Sequence, residues 1–162
     1  MPAPVLPLTE IASRLPPRGA LIGLDLGTKT IGVAVSDADR RLAVGIETIL
    51  RKGFKADATH LLDLAGNRQA VAFVLGLPLN MNGSEGPRAQ STRAFARNFA
   101  LCTDLPIALW DERLSTAAVE RELIAADASR ARRAAVVDQH AAAYILQGAL
   151  DRLIRLRPDA DA

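Results

Sequence analysis

A chain of 162 residues, 49% hydrophobic and 23% charged, is long enough for one well-filled core and short for two. A net charge of +2 does not exclude a nucleic-acid partner, because a local basic patch can steer a ligand where the total cannot. Among 20 basic residues only Lys29, Lys52 and Lys55 are lysines; the arginine forks suit phosphate, although a GC-rich genome gives the same skew. Cys102 stands alone, so no intrachain disulfide forms, and with only His60 and His140 a zinc site is poorly supplied. The longest uncharged stretch, 69–84, contains Pro78, Asn80 and Asn82 and is too short and polar to span a membrane. With no signal-peptide pattern at the start, a cytoplasmic protein is expected.

Residues 1–19 hold five of the nine prolines and read as a mostly irregular extension, with a helical turn or two in Leu8–Leu15. From Ala20 the pattern becomes regular. Apolar runs at 20–26, 30–36 and 41–50, joined by short connections, predict three antiparallel strands. Ala58, Leu61, Leu62 and Ala65 mark a helix over 55–68, and 71–77 reads as a buried fourth strand. Pro87 suits the first position of a helix running to about 102, with Thr92, Phe95, Ala96 and Phe99 on one face. Residues 106–110 form the fifth strand. Ser115 or Thr116 can cap a helix to about 126, and a basic linker with Arg130, Arg132 and Arg133 leads to a last helix over 134–154. The reading is one α/β domain over 20–154, with 155–162 as a loose tail. Its five-stranded mixed sheet has strands 1-2-3 antiparallel, strands 1-4-5 parallel, and helices on both faces.

Asp25 is a lone acid between two apolar runs, at the carboxyl end of the first strand. Asp111 and Glu112 follow the fifth strand, at the same edge, where α/β sheets collect their ligand sites. Asp138 falls in the first turns of the last helix, sharing a face with Ala141, Ala142 and Ile145. If that helix packs near strands one and five, Asp25, Glu112 and Asp138 converge. Like charges converge only around something positive, and an oxygen-only donor set suits two Mg²⁺ or Mn²⁺ ions and phosphodiester hydrolysis. Each acid also has a plainer role: Asp25 as a turn residue, Glu112 in a surface ion pair with Arg113, and Asp138 as a favourable charge at a helix start.

The loop 76–88 leaves the fourth strand at this edge, and Asn80, Asn82 and Arg88 are candidates to hold a phosphate chain. Ser84 has no partner motif for a serine hydrolase. Gln90, Arg93 and Arg97 form a polar stripe of the kind that is usually solvated.

These motifs resemble those of the YqgF/RuvX family of pre-16S rRNA nucleases, also described as Holliday-junction-resolvase-like. The resemblance spans about 20–152. It rests on Asp25-Leu-Gly-Thr-Lys-Thr-Ile-Gly-Val-Ala-Val-Ser-Asp37, Gly76-Leu-Pro-Leu-Asn-Met-Asn-Gly-Ser-Glu85, Asp111-Glu-Arg-Leu-Ser-Thr116, and Val137-Asp138 with Ala141, Ala142 and Ile145-Leu-Gln147. It implies a ribonuclease H-like fold, Asp25, Glu112 and Asp138 as catalytic metal ligands, and Mg²⁺ or Mn²⁺ as cofactor. It further implies maturation of the 5′ end of 16S rRNA, with junction-DNA cleavage as the competing activity. The chain departs at Thr30, where many members carry Arg, which leaves Lys29 as the only basic residue of the first turn. Lys29 and Arg113 join Asn80, Asn82 and Arg88 as candidate substrate contacts. The expected partner is structured RNA ahead of junction DNA, engaged by a monomer or homodimer. The same Asp-Leu-Gly-Thr-Lys-Thr run resembles the first phosphate loop of actin-like ATPases, but this chain holds one half of that fold and no second Asp-x-Gly-Gly loop. A non-catalytic nucleic-acid binder is a third reading.

Overall fold

Alternation of side chains along the strands sorts the interior into two layers, one on each face of a single sheet. The computed structural model describes residues 3–114 and 130–156, the last helix by its backbone alone over 130–139. Six strands are present among the described residues: β1 (Val5–Pro7), β2 (Ala20–Leu26), β3 (Thr30–Ser36), β4 (Ala43–Leu50), β5 (Ala70–Leu77) and β6 (Ile107–Asp111). They lie in the order β1-β6-β5-β2-β3-β4. β2, β3 and β4 form the antiparallel meander, and β5 runs parallel to both β2 and β6, as the sequence predicts. The α helices among the described residues are α1 (Leu8–Ile11), α2 (Phe54–Arg68), α3 (Pro87–Ala100) and α4 (Arg130–Arg155).

Every residue of β2 is buried, as a central strand covered on both faces requires. Ile22, Leu24, Phe73, Leu75 and Ile107 face the layer that holds Phe95 and Phe99 of α3, where Phe73 and Phe99 meet edge to face at 4.9 Å. Leu21, Ala72, Val74, Ala108 and Trp110 face α4 and pack on Ala142, Ile145, Leu146 and Ala149. Ala34, Ala72, Ala108, Ala142 and Ala149 in this second layer let α4 sit close to the sheet. A Cβ added to Gly23 would lie 2.7 Å from the Cβ of Leu146 and 3.3 Å from the Ala142 carbonyl oxygen.

Two expectations change. The sheet has six strands, not five, because β1 comes from the Pro-rich start of the chain, pairing parallel with β6 through Val5↔Ile107, Leu6↔Ala108 and Pro7↔Leu109. Proline is tolerated there because β1 is an edge strand. That start is held down further: Leu8 and Ile11 are buried against α4's layer, and buried Arg40 donates to the carbonyls of Gly19 at 2.8 Å and Pro16 at 2.6 Å. Residues 130–133 are not a linker but the first turn of α4, arginine being a good helix former. The helix expected over 116–126 lies outside the described residues.

Candidate functional site

Asp25 is the sixth residue of β2, two positions beyond Gly23, so it shares the face that α4 covers. It pairs with Gly32 on β3. On its other side the parallel register Leu24↔Leu75 brings Gly76 alongside it. Two glycines therefore flank one buried acid, which is 3% exposed. Glu112 opens a 3₁₀ turn, Glu112–Leu114, straight after β6, in step with Ala108 and Trp110 on the same face. It too is buried, at 8% exposure. Its side chain folds back over β5: a Cβ on Gly76 would come within 2.9 Å of Glu112 Oε1, 3.1 Å of its Cγ and 2.5 Å of Ile145 Cδ1. Gly76 is thus the seat of Glu112, between the strand of Asp25 and that of Glu112. Both carboxylates have polar or charged partners in this environment.

Asp138 lies within α4, one helical turn before Ala142 and two before Ile145; its side chain lies outside the described residues. Because α4 begins at Arg130, Asp138 is in its third turn, and the role of a charge at a helix start falls away, that effect being confined to the first turn. No group of three metal-ligating side chains occurs among the described residues, which contain two of the three acids in question. The surface-pair reading of Glu112 is also replaced. Arg113 pairs with Asp111, Nη2 to Oδ2 at 2.7 Å and Nε to Oδ1 at 3.0 Å, and leaves Glu112 to the sheet face. The Arg113 hydrogen bond holds the Asp111 carboxyl below the usual carboxylate range and raises the guanidinium in return.

The loop after β5 is shaped from within. Asn80 N–H donates to the Ser84 carbonyl at 2.9 Å, Gly83 N–H returns to the Asn80 carbonyl at 2.8 Å, and Asn80 Nδ2 reaches Ser84 Oγ. Asn82 Oδ1 accepts from both the amide and the hydroxyl of Ser84. Gly83 adopts φ +87°, open to glycine. Arg113 Nη1 donates to the Met81 carbonyl at 3.2 Å and ties the loop to the end of β6. These bonds fix the shape of the loop and hold it at the carboxyl end of β6.

The turn after Asp25 is closed by Gly27 N–H donating to the Thr30 carbonyl at 2.8 Å. Lys29 is exposed on it. The turn lacks a second basic residue of its own, yet guanidinium groups reach it from elsewhere. Arg51, just past β4, donates from Nη1 to the Gly27 carbonyl at 2.7 Å and from its amide to the Lys29 carbonyl at 2.9 Å. Arg88, at the start of α3, lies 3.4 Å from the Leu26 carbonyl. Asp57 of α2, buried, stands 3.9 Å from Arg51 Nε and accepts from Lys52 N–H at 3.1 Å. Neither Gly76 nor Arg51 is singled out by local sequence: Gly76 reads as part of a loop motif, and Arg51 acts 24 residues away.

A mixed sheet with α helices on both faces and buried acids at the carboxyl ends of β2 and β6 defines an α/β protein of the ribonuclease H-like class. The fold matches that of Thermus thermophilus RuvC in complex with a Holliday junction substrate, with a TM-score of 0.52 at 13% identity over 83% of this chain and 94% of that one. It also matches the yeast mitochondrial Holliday junction resolvase Ydc2, with a TM-score of 0.52 at 10% identity over 94% and 87%. Residues 19–152 match the family model described as RuvX, Holliday junction resolvase, and the chain belongs to that family. It is 76% identical to a protein of Bradyrhizobium sp. strain BTAi1 named "Putative pre-16S rRNA nuclease", over 97% of this chain and 98% of that one. A relative of the same name from Nitrobacter hamburgensis is 72% identical over 100% of this chain and 99% of its own, the proline-rich start included.

Proposed function

We propose that this protein is a metal-dependent endonuclease that hydrolyses phosphodiester bonds in processing the 5′ end of pre-16S rRNA. The observation that carries the reading is the pair of buried carboxylates, Asp25 and Glu112, on one sheet face with Gly76 between them. Two buried acids side by side are costly unless a cation joins them. The donor set is oxygen only, and the missing side chain at Gly76 lets the Glu112 carboxylate lie on the strand beside that of Asp25, so the residues fit a hard divalent ion. Asp25, Glu112 and Asp138 would hold Mg²⁺ or Mn²⁺. Bound there, the ions lower the pKa of water and stabilise charge at phosphorus.

The chain's own contribution is positioning. Gly76 lets Glu112 lie flat on β5, α4 carries Asp138 toward that face, and Arg51 and Arg88 hold the turn that follows Asp25. Lys29 and Arg88 supply positive charge for phosphates at this edge, and Arg113 with Asn80 and Asn82 forms the opposite rim. A cytoplasmic monomer or homodimer acting on structured RNA suits this reading. The substrate assignment draws on the names of relatives 72–77% identical to this chain.

The test is cleavage of a 16S precursor transcript with Mg²⁺ or Mn²⁺ by wild type and Asp25→Asn, with thermal stability measured alongside. Cleavage is expected to vanish while stability holds or rises, since removing a crowded charge often stabilises a site. Undiminished cleavage by Asp25→Asn would refute the assignment. The family description favours a second reading, four-way junction DNA as substrate; faster cleavage of a junction than of the precursor would select it.

A further inference from the structure

All three lysines of the chain fall at the carboxyl edge of β2, on two segments that touch. Lys29 is on the turn between β2 and β3, and Lys52 and Lys55 lie where β4 leads into α2. The Arg51 amide donates to the Lys29 carbonyl at 2.9 Å and joins the segments. Each lysine is exposed, and none has a salt bridge among the described residues. A shallow groove of about 810 Å³ runs past Lys52, Gly53, Phe54, Lys55, Thr59 and His60. The one acid that lines it, Asp63, lies two turns beyond Lys55 along α2; of the acids nearby, Asp57 is buried beside Arg51 and Glu47 accepts from His60 at 2.9 Å. Elsewhere the basic surface is arginine: Arg18, Arg93 and Arg113 are paired with Asp39, Glu85 and Asp111, while exposed Arg14, Arg41, Arg68 and Arg97 form no salt bridge among the described residues.

Point charges grouped on two touching segments beside an acidic site have a direct use. They offset the repulsion between buried carboxylates and a polyanion and neutralise successive phosphates, each contact releasing a counterion. We propose that the nucleic-acid strand flanking the carboxylate site runs over the amino-terminal end of α2, with Lys52 and Lys55 binding its phosphates. The path begins at Lys29, crosses Arg51 and continues along the groove, where the ring of Phe54, 36% exposed, offers an apolar floor for sugar and base. This path rests on the nuclease reading, which it extends by two residues and a direction.

The test uses the full chain in EDTA and a labelled single-stranded oligoribonucleotide from the 16S precursor leader, with binding followed by anisotropy across a salt series. Lys52→Ala/Lys55→Ala removes two phosphate contacts. It is expected to reduce the slope of log affinity against log salt by about 1.4 and to weaken binding roughly 10- to 30-fold near 0.1 M salt. The control is Arg68→Ala/Arg97→Ala, in the last turns of α2 and α3. At 1.5 Å per residue Arg68 lies about 20 Å from Phe54 along α2, and the same two charges removed there should leave the slope unchanged. With Mg²⁺ or Mn²⁺, Lys52→Ala/Lys55→Ala should raise KM and keep kcat, because neither side chain meets the reacting atoms. Wild-type binding by that variant, or an equal slope loss in both, would overturn the path. The nuclease reading is judged separately by Asp25→Asn: cleavage by that variant together with a lysine-dependent slope would leave the strand path standing and the catalytic assignment refuted.

Discussion

Replacing Gly76 with alanine tests whether Glu112 is held by its seat on β5. The new methyl would stand 2.5 Å from Ile145 Cδ1, 2.9 Å from Glu112 Oε1 and 3.1 Å from Glu112 Cγ. All are shorter than the roughly 3.5–4.0 Å of a relaxed carbon contact. Two of the three crowded atoms belong to Glu112, so its carboxylate must move. Overpacking of this kind costs about 1–3 kcal/mol, or roughly 3–10 °C in Tm for a chain of this size. A displacement approaching 1 Å of a catalytic carboxylate lowers the cleavage rate about 100-fold. Ile145→Val separates the two effects, because it deletes Cδ1, the atom in closest conflict, at an intrinsic cost of about 0.5–1.5 kcal/mol. The residues touch, so Gly76→Ala/Ile145→Val should be about 1 kcal/mol less destabilised than the sum of its parts, yet cleave as slowly as Gly76→Ala. Urea unfolding and precursor cleavage on the four proteins measure both quantities. A Gly76→Ala protein with wild-type rate, or a double variant that regains it, would refute the proposed seat.

Gly23→Ala differs in kind: its methyl meets α4 at Leu146 Cβ, 2.7 Å, and at the Ala142 carbonyl oxygen, 3.3 Å, neither of which can swing aside. It should destabilise at or above the upper end of the same range of about 1–3 kcal/mol and, by displacing α4, reduce cleavage as well, read by the same two assays. Arg40→Ala should free the proline-rich start by removing hydrogen bonds to the Gly19 and Pro16 carbonyls, at a cost of about 2–4 kcal/mol and with faster proteolysis before Ala20. Asn82→Ala removes the acceptor of two Ser84 hydrogen bonds in an exposed loop; cleavage should fall while Tm stays within about 1 °C. Asp111 is lowered from 3.8 in the folded chain, so its stabilisation is complete above that value and is lost as pH falls through the lower, folded one. Asp111→Asn should therefore flatten the fall in urea midpoint below pH 3.8, and an acid limb as steep as that of wild type would assign the loss to other carboxylates.

Strand alternation and helix periodicity are local, and the sequence alone determined the elements they govern. β2, β3, β5 and both helices that flank β5 follow from the spacing of apolar residues, and short connections determined the antiparallel meander. The burial of Asp25 was also legible, because an acid set between apolar runs is buried with them. Tertiary structure decided what depends on distant partners. A three-residue, proline-bearing β1 has no periodicity of its own and exists only because β6 offers an unpaired edge. Arg130–Arg133 could not be told from a linker, since charged residues lack the apolar spacing that reveals a helix. Arg113 adjoins Glu112 in sequence and lies two positions from Asp111, and the direction in which β6 ends gives it to Asp111. Gly76 as the seat of Glu112, Arg51 as the clamp on the turn after Asp25, and the meeting of Lys29 with Lys52 and Lys55 all join segments about 20 residues or more apart. Their chemistry is written in single residues, but their meeting is set by the register of the sheet.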